Sequence, residues 1–200
     1  MSVEMDRGVE SAPRKTRRHL PGVEGIWVFV AADMTVFGIL FGCFMAGRHS
    51  DPALFEQSRH ALNPDFGGVN TLILLTSSWF VVMALAAVRA ERFRPAQHWL
   101  GGAFLCGVAF MISKAIEYTQ KLTSGITLLT NDFFMYYFTM TGIHLMHVVA
   151  GNVVLAVMWA KARARSFEPA SPTALECGAT YWHMVDLLWI MLFPLLYLMR

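Results

Sequence analysis

Charge is scarce in this sequence. Only 15% of its 200 residues are Asp, Glu, Lys or Arg, against roughly 25% in soluble domains. Because 56% are hydrophobic, a water-soluble globule is excluded. Cysteine is scarcer still: Cys43, Cys106 and Cys177 are the whole complement, with no C-x-x-C pair. A disulfide scaffold is excluded, and the three read as small buried hydrophobes. The net charge of +2 is too weak for a nucleic-acid domain. Alternating segments of ~10 residues, the mark of a membrane β-barrel, are missing. So are amphipathic helices or strands that could cover apolar helices inside a large soluble core.

What the chain does have is apolar runs of about 20 residues, the length at which a helix crosses ~30 Å of hydrocarbon. Five stand out, at about 26–46, 69–88, 99–118, 133–160 and 177–199. The expected fold is all-α: a polytopic membrane protein built as a five-transmembrane-helix bundle, one domain over 26–200 behind a polar, basic tail at 1–25. The first run is longer than the 7–15 residues of a signal-peptide core and lacks a small-x-small cleavage site, so it is read as retained. The loop Gly47 to Gly68 carries turn chemistry at Asp51-Pro52, Asn63-Pro64 and Gly67-Gly68.

Lys and Arg sort by side. The tail (Arg7, Arg14, Lys15, Arg17, Arg18), the second loop (Arg89, Arg92, Arg94) and the fourth (Lys161, Arg163, Arg165) hold eleven. The opposite side holds four: Arg48, Arg59, Lys121 and Arg200. The N-terminus is therefore expected in the cytoplasm and the C-terminus outside.

Ionisable side chains at membrane depth cost at least ~2.5–3.5 kcal/mol near the centre, so each calls for a partner or a function. Asp33 lies a third of the way into the first run. Lys114 and Glu117 stand three apart on the third, spacing that allows an ion pair. His144 and His147 repeat it on the fourth, and Glu176, Thr180, His183 and Asp186 form one stripe on the fifth. Small-residue lines at Gly38/Gly42, Asn70/Ser77/Ala84 and Gly102/Cys106/Ala109/Ser113 suit close helix packing. Three readings stay open on these residues: a hydrogen-bonded network joining helices three, four and five, a metal or haem site on His144, His147 and His183, and proton conduction through Asp33 and Glu117. Three membrane histidines cannot ligate a multi-haem or haem-copper core. Pro194 is expected to remove one helical hydrogen bond and bend the last helix. Trp27, Trp79, Trp99, Trp159, Tyr118, Tyr136, Tyr137 and Trp182 read as an interfacial belt. Deeper Trp189, with Gly38 and Gly42, is expected to meet a partner.

The polar stripes also spell a pattern. The run Thr141-Gly142-Ile143-His144-Leu145-Met146-His147-Val148-Val149-Ala150-Gly151 resembles the T-G-x-H-x-x-H-V-x-x-G signature of subunit III of the haem-copper oxidases. Glu176 to Trp189 is similar to that family's E-x-x-x-x-Y-W-H-F-V-D-x-x-W. Lys114-Ala115-Ile116-Glu117-Tyr118 resembles its Q-x-x-E-Y, and the Asn70 to Ser78 run its N-T-x-x-L-L-x-S-S helix. Asp33 falls where the family has a membrane-buried Glu. The resemblance runs from about Gly25 to the end and matches the last five of seven helices in mitochondrial-type subunits. Five-helix forms occur in bacterial quinol oxidases and in the NorE type associated with nitric oxide reductase, which this chain resembles most.

The resemblance implies an accessory subunit of the bacterial inner membrane without a cofactor of its own, haem and copper residing on the catalytic partner. It further implies that this subunit supports turnover, proton uptake or assembly during oxygen or nitric oxide reduction, and that the membrane histidines are structural. Lys114 for Gln and Asp33 for Glu are departures from the pattern. A free-standing haem or metal protein and a small proton transporter are the alternative functions.

Overall fold

The computed structural model describes residues 23–164 and 173–199. The basic tail to residue 22, Arg165 and Arg200 lie outside the described residues. Among the described residues every regular element is helical: α1 (Glu24–Ser50), α2 (Pro52–Arg59), α3 (Pro64–Arg89), α4 (Phe93–Thr123), α5 (Asp132–Arg163) and α6 (Thr173–Phe193), which runs into a π-helical turn, Pro194–Leu198. Five of these segments are long and apolar enough to cross a membrane.

The expected five helices become six. The additional one, α2, lies inside the segment read as a loop, because Asp51-Pro52 serves as a helix start: the Asp51 carboxylate accepts from the Leu54 amide at 3.0 Å, and Pro52 occupies the first turn, where its missing N–H costs nothing. Asn63 and Pro64 begin α3 in the same way. The spanning helices also overrun the apolar windows. At ~1.5 Å per residue, the 31 residues of α4 exceed the hydrocarbon thickness, so its ends reach beyond the greasy run that marks it in sequence.

Two helices end in the same hydrogen-bonded motif with different residues at the left-handed position. After α4, Gly125 takes φ 76° while the amides of Gly125 and Ile126 reach back to Leu122 and Lys121. After α3, Glu91 sits at φ 56°, with Glu91 and Arg92 donating to Val88 and Ala87. A side chain is disfavoured there, so Glu91→Gly is expected to stabilise the fold by about 1 kcal/mol. Thermal unfolding in detergent measures it; an unchanged or lower midpoint would show that the Glu91 side chain makes a compensating contact.

Antiparallel α3 and α4 share the most extensive interface, α4 packs on α5, and α6 is held between α5 and α3, with α1 laid along the outside of α5 and α6. On α3 the buried stripe includes Asn70, Ser77 and Ala84, the line read from the sequence. On α4 it is Ala96, Leu100, Ala103, Gly107, Phe110, Lys114 and Glu117, one residue round from the expected Gly102/Cys106/Ala109/Ser113 line. Ser77 crosses this interface to donate to the Ala103 carbonyl at 3.0 Å.

Further expectations are corrected. None of the three cysteines is fully buried, and Cys43 is exposed. Tyr137 and Trp182, assigned to the belt, are core residues, and so is Trp189, which is 0% exposed and meets no partner from inside the bundle. Gly38 and Gly42, by contrast, keep their expected place: they face open space, and this chain's own helices leave that face uncovered.

α2 lies across one end of the bundle. Phe55 is buried against the rings of Phe44, Phe133 and Tyr136. Asn131 donates to Ser58 at 2.9 Å, and Lys121 donates to the carbonyl of Ala61. Arg59 holds Glu56 at 2.5 Å, and that hydrogen bond draws the Glu56 carboxyl below its ordinary pKa. The contact is therefore present at neutral pH and weakens as pH falls through the depressed value.

Candidate functional site

The polar side chains inside the bundle divide into separate groups. The most elaborate is beneath α2, where α4 ends, α5 begins and α6 ends. Lys114, 1% exposed, directs its ammonium at Glu117 Oε2 (2.8 Å), Tyr197 OH (3.2 Å) and Tyr137 OH (3.3 Å). Those three acceptors take up the three donors an ammonium possesses. Glu117 accepts at its other oxygen from Tyr137 at 2.8 Å and from Tyr197 at 2.6 Å. The ammonium also lies 5.2 Å from the Tyr118 and Tyr137 ring centroids and 5.3 Å from that of Trp189, so aromatic faces supply most of its remaining surroundings. The pair is formally neutral, and its hydrogen-bonding capacity is turned inward.

Local structure makes this possible. Helical spacing of three puts Glu117 beside Lys114. Pro194 cannot donate an amide hydrogen bond, and the helix proceeds past it with a widened turn, closed by Met199 N–H on the Pro194 carbonyl at 2.9 Å. Such single π-turns insert where the chain must re-aim side chains, and this one carries Tyr197 into the cluster. Tyr118 extends the group by a 2.6 Å hydrogen bond to Thr141, which donates to the Tyr137 carbonyl at 2.6 Å. The sequence pointed to the Lys114/Glu117 pair. It missed Tyr137, Tyr197 and Thr141, since nothing in one strand of text tells an interfacial tyrosine from one turned into the core.

A second group joins α1 to α5. His147 Nδ1 engages the Ile143 carbonyl at 2.8 Å, which fixes that nitrogen as the donor. Nε2 then faces Asp33 Oδ1 at 3.2 Å. Asp33 Oδ2 is buried without a hydrogen-bond partner among the described residues.

Between these groups His144, 0% exposed, packs 5.3 Å from the Trp189 ring and 5.7 Å from that of Phe110. Neither ring nitrogen has a hydrogen-bond partner among the described residues. Trp189 is tied in turn to Thr71 on α3, its indole N–H donating at 3.0 Å.

On α6 the stripe of four is dispersed. His183 Nδ1 lies 2.6 Å from the Ser78 hydroxyl of α3. Asp186 is buried one turn further on. Thr180 is half-buried. Glu176 pairs with Arg89 at 2.7 Å, at the opposite end of the bundle from α2. Of the expected network among helices three, four and five, the Glu117 part is present through Tyr137 and Tyr197, and the other members find different partners. His147 turns to the first span, and His183 and Glu176 turn to the second, because each stripe curves round its helix and meets whichever neighbour lies there. No three His, Cys, Asp or Glu side chains among the described residues gather in a way that could hold a metal ion.

Comparison with known proteins agrees with the arrangement over nearly the whole chain. The family model of cytochrome c oxidase subunit III matches residues 22–200. Cytochrome c oxidase subunit 3 of Synechocystis sp. is 32% identical over 176 residues, covering 88% of this chain and 74% of that protein. The corresponding protein of Corynebacterium diphtheriae is 28% identical over 178 residues, covering 88% and 87%. Cytochrome bo(3) ubiquinol oxidase subunit 3 of Pseudomonas putida is 27% identical over 183 residues, covering 88% and 85%. A chain of five apolar spans matched from its first span to its last by this family model belongs to the cytochrome c oxidase subunit III family.

Proposed function

We propose that this protein is the accessory subunit, without a redox centre of its own, of a haem-copper family respiratory complex in a bacterial inner membrane. It supports turnover, proton uptake or assembly of a catalytic subunit that carries the haem and copper. The observation that carries the reading is the closed Lys114 cluster: its charged groups are spent on one another, which suits a rigid docking body more than a catalytic site. The three membrane histidines face Asp33, Ser78 and an aromatic pair instead of one another, which again favours positioning over ligation. Within the family we favour the NorE type, whose partner reduces nitric oxide, on the five-span length and the Asn70 to Ser78 run.

Affinity purification from native membranes in mild detergent tests it. Recovery of a nitric oxide reductase supports the NorE assignment, recovery of an oxidase supports the family role with an oxygen-reducing partner, and a chain that purifies alone overturns both. Deleting the gene is expected to leave the partner's haems in place while lowering sustained turnover or assembly, and Asp33→Ala to produce a smaller defect than deletion.

We also propose that the N-terminus is cytoplasmic, from the eleven basic residues on that side against four. A cysteine placed at Gln57, on α2, is expected to react with an impermeant maleimide applied from outside the membrane. One placed at Arg92 is expected to be protected until the membrane is opened. The reverse pattern would invert the topology.

A further inference from the structure

α1 and α3 both pack against α6 but share no extensive interface with each other, so α6 presents a face to the outside of the bundle between them. Thr180, His183, Leu187 and Ile190 follow one another along α6 at steps of three, four and three. All four are half-buried or exposed, whereas Trp182, Val185 and Trp189 turn into the core. A stripe recurring every 3.5 residues is the seam that one helix offers to another.

Two polar side chains on this seam are incomplete. His183 Nδ1 meets the Ser78 hydroxyl of α3 at 2.6 Å, but Nε2 has no hydrogen-bond partner among the described residues. Both nitrogens of His144 are unpartnered as well, yet those are sealed inside the bundle, whereas the half-buried His183 ring opens outward. The Thr180 hydroxyl, one turn earlier, also lacks a partner among the described residues. His183 lies ~13 Å along the span that begins at Ala174, which puts its imidazole at hydrocarbon depth. The surroundings are apolar. α3 carries no charged residue between Asp65 and Arg89, and Leu75 and Val82, on either side of Ser78, are exposed.

Lipid cannot complete this face. An acyl chain has neither donor nor acceptor, and a headgroup lies outside the depth of His183, so an imidazole nitrogen left there is costly. A polar side chain from a neighbouring helix removes that cost. The tautomer of the ring decides whether Nε2 gives or takes the proton, and the side chains of Ser, Thr, Asn and Gln can answer either case. We propose that the outer face of α6, between α1 and α3, seats one membrane-spanning helix of another polypeptide, apolar along most of its length and presenting a Ser, Thr, Asn or Gln side chain to His183 Nε2. This rests on the reading that the chain docks on a partner, and it names the face by which it does so.

A photocrosslinking residue at Leu187 in native membranes tests this, with Leu105 on α4 and Met146 on α5, both exposed, as comparison positions. Leu187 is expected to yield an adduct to a different polypeptide, with the linked peptide in a membrane-spanning segment by mass spectrometry. His183→Phe is expected to lower recovery of that polypeptide in mild detergent about fivefold, as for the loss of one interhelical hydrogen bond. His183→Gln, whose amide reaches the position of Nε2, is expected to retain more of it. The crosslinks are read with His183 intact, so a folding defect in the Phe variant does not blur them. Polypeptide adducts from Leu105 or Met146 with only lipid adducts from Leu187 would overturn the proposal and leave the accessory-subunit reading standing. A Leu187 adduct to a second copy of this chain, or unchanged recovery with His183→Phe, would also overturn it. No polypeptide adduct at any of the three positions, from a chain that purifies alone, would overturn both.

Discussion

Lys114→Met is expected to destabilise the protein by about 3–5 kcal/mol, the cost of leaving a buried charge without its partner. The substitution keeps the volume of the side chain and removes the cation, so Glu117 retains two tyrosine donors and loses the charge that balances it. Tyr137 and Tyr197 each lose a donor at the same time. Lys114→Gln, which installs the residue of the subunit III pattern, supplies two donors in place of three and is expected to fall between Met and the wild type. The double variant Lys114→Met/Glu117→Leu is expected to recover much of the loss, because it removes both charges together. Unfolding free energies in one detergent, taken as a double-mutant cycle, measure the coupling. Additive losses would mean that the two side chains act on the fold independently, and the closed cluster would then be the wrong description of this region.

Gly151→Val is expected to be nearly as damaging, through volume instead of charge. A Cβ at Gly151 would lie 2.7 Å and 2.8 Å from two ring carbons of Trp182, inside any permitted contact. Trp182 is 1% exposed, so its ring has no solvent-side space into which to swing, and α5 must draw away from α6. Overpacking a core costs about 1–3 kcal/mol. A branched side chain, with two further carbons to place, lies at the upper end of that range. Gly38→Ala is the matched control: nothing stands within 4 Å of its Cβ position, and the helix gains up to about 1 kcal/mol in propensity. Equal midpoints for the two variants would show that α5 and α6 are not held as tightly as their geometry requires.

The five spans were legible because hydropathy over 20 residues depends on composition alone, and the Lys114/Glu117 pair was legible because both residues lie on one helix. Contacts between helices were less so. On α4 the stripes Gly102/Cys106/Ala109/Ser113 and Ala103/Gly107/Phe110/Lys114 are neighbours separated by one residue, about 100° of rotation, and both contain small side chains. Only the neighbouring helix decides which one is buried. Trp189 shows the same limit, since an aromatic at membrane depth can face a partner or fill its own core, and here His144, Phe110 and Lys114 surround it. α2 was hidden for another reason. Eight residues are too few for helical periodicity to stand out, and Asp-Pro signals a helix start as well as a turn. On α6, the stripe Glu176/Thr180/His183/Asp186 was correctly spaced, yet spacing carries no information about how many different neighbours a stripe will meet.

The π-helical turn at Pro194 makes the order of synthesis matter. Of the residues that touch the Lys114 ammonium, Tyr197 is the last to be translated. While the ribosome is still building α6, a nascent chain with four spans already in the membrane contains Lys114, Glu117 and Tyr137, but neither Trp189 nor Tyr197. At that stage one ammonium proton lacks its tyrosine acceptor and one side of the cation is uncovered by protein. The cluster closes only when the last span has been inserted and the chain has passed Pro194. A truncated chain thus displays a half-covered cation that the finished protein hides.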